Sequence, residues 1–298
     1  MDTLFDDFDR DQLRDRLQTL AARKILIGGS SWKYEGWLGQ IYSRWRYQTR
    51  GRFSRKLFED TCLNEYAATF PTVCGDFTFY QFPSEAMWSK LFRQTPDTFR
   101  WAFKVPEQIT VPGNPTFLDA ALFNESFLRP LELYRNQVGI LIFEFGTFRE
   151  KTFETPSQFI QALDPFLDQL PVGWRYAVEI RNAEFLVPDY FACLRAHNVP
   201  HVYNAWTRMP EIGDQFAILE SRTSDLIVCR ALLHRGRPYE DAVRLFRPYD
   251  RVREVNESVR RSLRELVNVA MVDGVPAFIF VNNRLEGNSP GTIVAITD

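Results

Sequence analysis

The chain has 298 residues, of which 45% are hydrophobic, 15% aromatic and 25% charged, and its formal net charge is -2. This is an ordinary globular composition, with enough chain for one large core or for two smaller domains. The near-neutral charge excludes a global field that favours nucleic acid or an anionic membrane, and no window approaches the ~18 apolar residues of a membrane span.

Residues 3–22 are predicted to form an amphipathic helix. Its apolar side chains fall roughly on one face of the helix, and they are Leu4, Phe8, Leu13, Leu17 and Leu20. We expect this helix to pack on the outside of the domain, and docking against a partner is the alternative. The predicted organisation is therefore an N-terminal helical extension over residues 1–23 and one domain over residues 24–298.

Residues 72–106 set the pattern for the rest of the chain. The alternation in TVCGDFTFY predicts an extended strand over residues 72–80, with Asp76 and Tyr80 on one side. A helix with Trp88 and Phe92 at helical spacing follows, and TFRWAFKVP is a second strand. A strand, a helix and a strand at this length predict two parallel neighbours.

Eight apolar segments are predicted to be strands, nearly all separated by helical segments. They span residues 24–32, 72–80, 98–106, 138–148, 174–182, 199–206, 225–233 and 275–283. The longer helices are expected near residues 57–70, 118–136, 157–170, 188–197 and 251–269, and a loop rich in Gly and Asn after the eighth strand. This pattern favours an α/β fold with a single (β/α)8 TIM-like barrel over an open doubly wound sheet. No G-x-G-x-x-G follows the first strand.

Ligands of such a barrel meet the carboxyl ends of its strands. The candidates at those ends are Ser30, Ser31, Trp32, Asp76, Thr78, Tyr80, Lys104, Glu144, Glu179, Arg181, Asn204, Trp206, Arg230, Asn282 and Asn283. Each buried charge must be paired at a cost in desolvation. A barrel whose interior serves stability alone therefore has little use for so many charged residues at the ends of its strands. A purely structural network, in which Lys104 and Arg181 neutralise the three acids, explains one or two pairs but not the whole set.

Several chemistries are open to these groups. Three carboxylates and Lys104 can serve as general acid and base once burial moves their pKa values. Glu144 and Glu179 can also form a carboxylate pair of the glycosidase kind. Lys104 can form a Schiff base, although a lysine among carboxylates is more simply an electrostatic partner. Arg181 and Arg230 can clamp a phosphate or a carboxylate.

A metal is not expected from the histidines. His197 and His201 straddle a turn, and His234 lies just past the seventh strand. An oxygen-liganded Mg²⁺ site remains open, and no cofactor is implied. Cys74 can be read as a nucleophile, but the sequence shows no base beside it, and a buried small residue is the preferred interpretation.

The four cysteines are Cys62, Cys74, Cys193 and Cys229. They form no C-x-x-C pair and three of them lie in apolar segments, which is typical of reduced thiols in a cytosolic protein. The acidic N-terminal sequence lacks the apolar run of a signal peptide. We therefore expect a cytoplasmic protein that is not attached to a membrane.

The segment 44–56 mixes arginines with Trp45, Tyr47 and Phe53. Basic residues interleaved with aromatic ones suit single-stranded nucleic acid or a polyphosphate. The preferred interpretation is a solvated insertion that its aromatic side chains hold against the domain.

The motifs GGSSWKYEGWLGQIY, TVCGDFTFYQFPSE, TFRWAFKVPEQIT, LIFEF, AVEIR and FIFVNN together resemble those of the YecE-like family, known as domain of unknown function 72. The resemblance spans residues 26–296. It implies a TIM-barrel-like fold and no established reaction. Lys104, Glu179 and Arg181 match polar positions of the family.

The chain departs from the family pattern at two positions of one motif. The family has an acid and an amide where this chain has Cys74 and Asp76. If the family's acid is catalytic, its loss at Cys74 either removes activity or moves the role to Asp76. The stretch 43–56 is also longer than the family's usual linker, GGSSW replaces GTSGW, and RALLHRGRPYEDA replaces a YVRLHGR-type stretch.

The leading hypothesis is an enzyme that acts on a small anionic or polar substrate by acid–base chemistry, of hydrolase or lyase type. Glu179 is its predicted acid or base, Lys104 and Arg181 hold negative charge, and Asp76 and Glu144 tune them. The residues expected to complete the pocket are Trp32, Tyr80, Asn204, Trp206, Arg230 and Asn282.

Two alternatives to the enzyme hypothesis remain open. The first is a barrel that binds nucleic acid or polyphosphate through residues 44–56. The second is a non-catalytic scaffold whose N-terminal helix binds a partner. This hypothesis predicts that every charge at the mouth of the barrel is paired and that the mouth has no room for a ligand.

Overall fold

Eight parallel strands and one antiparallel hairpin form the sheets of the computed structural model, which describes residues 8–148 and 152–298. The strands are β1 Ile25–Gly29, β2 Gln48–Thr49, β3 Arg52–Phe53, β4 Thr72–Gly75, β5 Arg100–Lys104, β6 Val138–Phe145, β7 Tyr176–Ile180, β8 Val202–Ala205, β9 Ile227–Ala231 and β10 Ala277–Val281. Among the described residues, β2 and β3 pair with each other alone and form the hairpin within the predicted basic insertion.

The eight-stranded sheet has the order β7-β6-β5-β4-β1-β10-β9-β8, so each strand neighbours the next one along the chain. Its two ends meet at a parallel bridge between Val178 and His201, where the Val178 N–H donates to the Pro200 carbonyl at 3.0 Å. The sheet is therefore nearly closed into a barrel. This confirms the predicted (β/α)8 TIM-like fold.

Helices follow the strands and cover the outside of the barrel. They are α1 Arg10–Ala22, α2 Arg55–Thr69, α3 Glu85–Phe92, α4 Glu107–Thr110, α5 Ala120–Leu122, α6 Arg129–Leu131, α7 Pro156–Asp168, α8 Pro188–Ala196, α9 Ile212–Ala217, α10 Tyr239–Phe246, α11 Glu257–Asp273, α12 Asn283–Glu286 and α13 Ser289–Thr297. Over the described part of the chain, none of them has the length and apolar character needed to cross a membrane.

α1 begins at Arg10, where the Asp9 side chain accepts a hydrogen bond from the Gln12 N–H and caps the helix. Leu13 and Leu17 are buried, and the helix packs against β1 and α2. The predicted helix begins at residue 3, but Leu4 lies outside the described residues.

The strand predicted over residues 72–80 is too long. β4 ends at Gly75 and a 3-10 turn covers Asp76–Tyr80. The Thr78 hydroxyl explains the turn, because it lies 2.9 Å from the Gly75 carbonyl oxygen and 2.6 Å from the Lys104 carbonyl oxygen. Tyr80 therefore leaves the sheet, and 71% of its surface is exposed.

Two other predicted segments differ from the structure. The helix predicted near residues 118–136 is broken into α5, a π-helical turn Phe123–Leu128, α6 and a 3-10 turn Glu132–Gln137. Pro130 in α6 has no N–H to donate to the preceding turn, and this interrupts a regular helix. The loop predicted after the eighth strand is instead α12 and α13, because the side chains of Asn282 and Asn288 cap them.

Strand alternation separates the barrel interior from the layer beneath the helices. Small and aliphatic side chains fill the interior together with Phe278 and Phe280, whereas Trp101, Phe103 and many other aromatic side chains pack outside. The interior residues are Cys74, Ala102, Ile140, Ile142, Ala177, Val202, Val228, Phe278 and Phe280. Glu144 and Glu179 are direct neighbours across β6 and β7, two residues beyond Ile142 and Ala177. These two carboxylates therefore lie on the face of their strands that points into the barrel.

Candidate functional site: a charged ring at the carboxyl ends of the strands

Six charged side chains meet where the barrel strands end, and we call them the charged ring. Its acidic members are Asp76, Glu144 and Glu179, and its basic members are Lys104, Arg181 and Arg230. They come from five strands or the residues directly after them, which are β4, β5, β6, β7 and β9. Three negative and three positive groups give the ring a formal charge of zero.

Arg230 lies at the centre of the ring, with 1% of its side chain exposed. Its Nη1 donates to Oε2 of Glu144 and to Oε2 of Glu179, both at 2.5 Å, and its Nη2 donates to Oδ1 of Asp76 at 2.9 Å. Burial alone would lower the pKa of this guanidinium. Glu179, Asp76 and Glu144 outweigh burial and raise the pKa well above its ordinary value, so Arg230 stays charged.

Glu144 accepts from three cations through one oxygen. Its Oε2 lies 2.9 Å from Nζ of Lys104, 2.8 Å from Nη2 of Arg181 and 2.5 Å from Nη1 of Arg230. Burial alone would raise the pKa of this carboxyl, but Arg181, Lys104 and Arg230 hold the pKa well below its usual range. Glu144 is therefore a fixed carboxylate and a poor proton donor.

Glu179 is fully buried and both of its oxygens are engaged. Oε1 accepts from Nε of Arg181 at 3.2 Å, and Oε2 accepts from Arg230. In this position Glu179 orients the two arginines. Because the oxygens of Glu144 and Glu179 already face cations, they are poor candidates for binding a metal.

The rim of the ring is formed by the groups that solvent reaches. Lys104 and Arg181 are 9% and 11% exposed, and Asp76 is 32% exposed. Nζ of Lys104 lies 3.9 Å from the Phe79 ring centre, and Cζ of Arg181 lies 3.6 Å from that of Trp206. Two aromatic faces thus flank the two rim cations, at cation–π distances.

The sequence predicted Trp206 at this place but missed Phe79. The alternation assumed for residues 72–80 assigned Phe79 to the far side of a strand, and the 3-10 turn changes that assignment. Tyr80, predicted to line the pocket, is exposed and contacts the Phe79 ring edge-on. No pattern in the sequence distinguishes Phe79 from Tyr80.

Trp32, Asn204 and Asn282 do not join the ring. Trp32 is buried in the aromatic layer beneath the helices, where it packs edge-on against Phe77 and Trp101. The Asn204 amide donates to the carbonyl oxygens of Ile180 at 3.1 Å and Val202 at 3.3 Å. It therefore ties β8 to β7 at the seam where the barrel closes.

Asn282 caps a helix. Its Oδ1 accepts from the Arg284 N–H at 2.9 Å at the start of α12. Asparagine is a favoured N-cap residue, so the sequence contained a signal for this role.

Cys74 is buried beneath the ring, with its Sγ 3.7 Å from Oδ1 of Asp76. Burial raises the pKa of this thiol far above its ordinary value. A nucleophilic cysteine needs a thiolate, so the environment favours a buried small residue over a nucleophile.

Comparisons with known proteins identify the family. The chain matches the model of the family described as "Protein of unknown function DUF72" over residues 26–298. The UPF0759 protein YecE of Escherichia coli (strain K12) is 27% identical over 188 residues, which are 62% of this chain and 58% of YecE. The match thus spans less than two thirds of that relative.

Solved structures of two DUF72 family proteins are similar to this chain. The protein of Enterococcus faecalis has a TM-score of 0.61 and 15% identity, with 91% of this chain and 94% of that chain covered. The protein of Thermotoga maritima has a TM-score of 0.61 and 19% identity, with 92% and 96% covered. At these identities the likeness shows the fold alone. Because the family model covers nearly the whole sequence, this chain belongs to the DUF72 family.

Proposed function

We propose that the charged ring is the active site of an enzyme that acts on a small anionic or polar substrate by acid–base chemistry. The observation that carries the proposal is the convergence of six charged groups at the carboxyl ends of the barrel strands. Ligands of TIM barrels bind at this end. Burying ions costs desolvation energy that well-packed apolar residues avoid, so stability alone is a weak reason for such a cluster.

Lys104 and Arg181 are the proposed anion-binding groups. Both reach the rim, and both contact one oxygen of Glu144 that Arg230 also contacts. A phosphate or carboxylate of the substrate can therefore approach them while Arg230 and Glu179 keep their own pairing. The faces of Phe79 and Trp206 beside these cations suit the apolar part of a small substrate.

Asp76 is the proposed acid or base. It is the most exposed carboxylate of the ring, and Arg230 holds one of its oxygens. Glu144 and Glu179 are buried and paired, so we assign them, with Arg230, to positioning. Lys104 is the second group near enough to the rim to meet a substrate proton.

The test is the consumption of substrates from a mixture of phosphorylated and carboxylated metabolites, followed by mass spectrometry. Wild-type protein is expected to convert at least one compound. Asp76→Asn should still bind that compound but convert it about 10²–10⁴-fold more slowly, the usual contribution of general acid–base catalysis. A wild-type protein that converts nothing, or an Asp76→Asn variant with unchanged turnover, would reject the catalytic proposal.

A second candidate function rests on the segment that contains the β2–β3 hairpin. Trp45 is 75% exposed, and the basic side chains around it also face solvent. These exposed basic residues are Arg44, Arg46, Arg50, Arg52, Arg55 and Lys56. Exposed aromatic and basic side chains on one short segment suit stacking with bases and contact with phosphates.

Titration with a short single-stranded oligonucleotide at increasing salt tests this candidate. Binding through the segment should weaken steeply with salt and should be lost with Trp45→Ala and Arg46→Ala together. The absence of binding at low salt would reject it. If neither the metabolites nor the oligonucleotide bind, the non-catalytic scaffold is favoured, and the complete pairing of the ring supports that alternative.

The proposed location is the cytoplasm. All four cysteines are free and buried, although the sequence offers enough of them for two disulfides. Free thiols are typical of proteins kept in a reducing compartment.

A further inference from the structure

Four side chains with metal-ligating groups lie together on two neighbouring helices, away from the charged ring. Asp164 and Asp168 lie one turn apart at the end of α7, and Cys193 and His197 lie one turn apart at the end of α8. Residues four apart share one helix face, and α7 packs against α8. Both helices run back from the carboxyl ends of the strands, so their last turns lie near the opposite end of the barrel.

We propose that Asp164, Cys193 and His197 form a Zn²⁺ site. One ligand atom from each lies within 4.8 Å of the others. Oδ1 of Asp164 is 3.6 Å from Sγ of Cys193 and 2.8 Å from Nε2 of His197. The three ligand atoms therefore form one cluster between the two helices.

The two distances to Asp164 can be compared with those of a tetrahedral zinc site. Zinc bonds of about 2.0 Å to nitrogen and oxygen and about 2.3 Å to sulfur place neighbouring ligand atoms about 3.3–3.6 Å apart. The Asp164–Cys193 distance fits directly. The Asp164–His197 distance is that of a hydrogen bond, and the half-exposed Asp164 side chain can open it by rotation.

Asp168 lies behind the histidine, at a place from which it can orient the ring. Its Oδ1 lies 3.5 Å from Nδ1 of His197, on the opposite side of the ring from Nε2. A carboxylate behind a histidine fixes the tautomer that presents the other nitrogen to a metal. In the proposed site, Asp168 is therefore the carboxylate behind the histidine, and a small rotation of this exposed side chain would form the hydrogen bond.

The donor set selects the metal class. A thiol, an imidazole and a carboxylate together suit Zn²⁺, whereas Mg²⁺ and Ca²⁺ prefer oxygen ligands alone. Asp164 and Asp168 are exposed, and an adjacent surface depression of about 450 Å³ is lined in part by Asp168 and His197. A metal ion can enter from solvent, and three protein ligands leave a fourth position for water.

The test is titration of the untagged, chelator-treated protein with Zn²⁺, and with Co²⁺ as a spectroscopic probe. Wild-type protein is expected to bind one Zn²⁺ per chain and to show thiolate-to-cobalt charge-transfer absorption. Cys193→Ser should remove that absorption, and His197→Ala should remove tight binding. Asp168→Asn should weaken binding by about 10–100-fold, because it acts through the histidine.

His234→Ala is the matched control, since this histidine lies far from the cluster in sequence and donates to no ligand of it. It should leave both the stoichiometry and the cobalt spectrum unchanged. Asp164→Asn alters an exposed side chain and keeps the test decisive if Cys193→Ser does not fold. No saturable Zn²⁺ binding, or binding that persists unchanged in His197→Ala and Asp164→Asn, would overturn the proposal.

Discussion

Arg230 joins the three acids of the charged ring into one unit, because a single guanidinium contacts Asp76, Glu144 and Glu179. The planar guanidinium directs its N–H donors in fixed directions toward several carboxylates at once, whereas a lysine ammonium is a compact charge without this fixed geometry. The sequence predicted Arg230 as a ligand-binding residue, and this stays a prediction. Because Arg230 is buried, we propose that it supports the ring while Lys104 and Arg181 face the mouth of the barrel.

Replacing Arg230 with methionine is expected to destabilise the fold strongly. Glu144 would keep Lys104 and Arg181, but Oε2 of Glu179 would lose its cation in a buried site. Breaking a buried pair from one side typically costs about 3–5 kcal/mol. Chemical unfolding measures the loss.

The matched control for this experiment is Arg244→Met, which removes the exposed partner of Asp241. An exposed pair contributes about 0–1 kcal/mol, so the control should unfold almost like the wild type. If Arg230→Met lowered the free energy of unfolding no more than the control does, Arg230 would not couple the three acids of the charged ring.

Glu144 predicts a dependence of stability on pH. Its pKa is lowered in the folded state, so its charge stabilises the fold above the ordinary pKa of about 4.5, and this contribution is lost as the pH falls toward the folded value. The free energy of unfolding should therefore fall as the pH drops below about 4.5, and Glu144→Gln should show a shallower fall.

The control for the pH experiment is Glu125→Gln, whose carboxylate forms an exposed pair with Arg129. Its unfolding free energy should follow the wild-type curve with pH. Parallel curves for wild type and Glu144→Gln would show that the three cations around Glu144 do not stabilise its charged form.

At the scale of single elements, β1 and β4 are joined in an unusual way. Their ladder contains one residue pair, Gly29 with Val73, and the Tyr66 hydroxyl bridges the two strands. It accepts from the Gly29 N–H at 2.7 Å and donates to the Thr72 carbonyl at 3.0 Å. A Cβ at Gly28 would lie 2.0 Å from that same carbonyl oxygen, so the backbones approach too closely for a side chain.

Tyr66→Phe should therefore loosen the barrel between β1 and β4. The buried Gly29 N–H would lose its acceptor, which typically costs about 1–3 kcal/mol. Thermal or chemical unfolding measures the loss, and hydrogen exchange at Gly29 should become faster. The control Tyr176→Phe removes a bond to the partly buried Pro171 carbonyl and should cost less. Equal stability of Tyr66→Phe and wild type would contradict this account of the junction.

The predictability of the elements follows from where their determinants lie. Apolar runs and alternation mark the buried strands, so β6, β7 and β9 and their inward-facing charges could be predicted from the sequence. The end of β4 is set by the Thr78 hydroxyl, which reaches a carbonyl on β5, and no local pattern reveals such a contact. The break near Pro130 was readable, because a proline inside a helical pattern is a known interruption.

The roles of several site residues depend on contacts between separate elements, and for this reason the sequence alone could not predict them. Asn204 and Arg230 are both polar residues at strand ends, yet one ties the barrel seam and the other binds three acids. The zinc ligands come from two helices, and the first lies 29 residues before the cysteine. The histidine spacing alone therefore gave no reason to expect a metal.

At the scale of the whole molecule, the two proposed sites occupy opposite ends of one barrel. The charged ring lies at the carboxyl ends of the strands, and the proposed zinc ligands lie at the last turns of α7 and α8. The barrel separates them, so substitutions at one site should leave binding at the other unchanged. A loss of Zn²⁺ binding in a ring variant that still folds would argue against this independence.

We propose that Lys104 and Arg181 bind a small anion at the mouth of the barrel. The most direct measurement is the melting temperature of the protein with inorganic phosphate, small phosphate esters and small carboxylates. Binding to the folded state raises the melting temperature, with about 2.7 kcal/mol of stabilisation at a ligand concentration 100 times the Kd.

We predict that at least one of these anions raises the wild-type melting temperature in a saturable way. The shift should disappear in Lys104→Met and in Arg181→Met, each compared with its own ligand-free melting temperature, and should persist in Lys24→Met, which changes an exposed lysine outside the ring. A shift of equal size in all three variants, or no shift in the wild type with any of these anions, would contradict anion binding by Lys104 and Arg181.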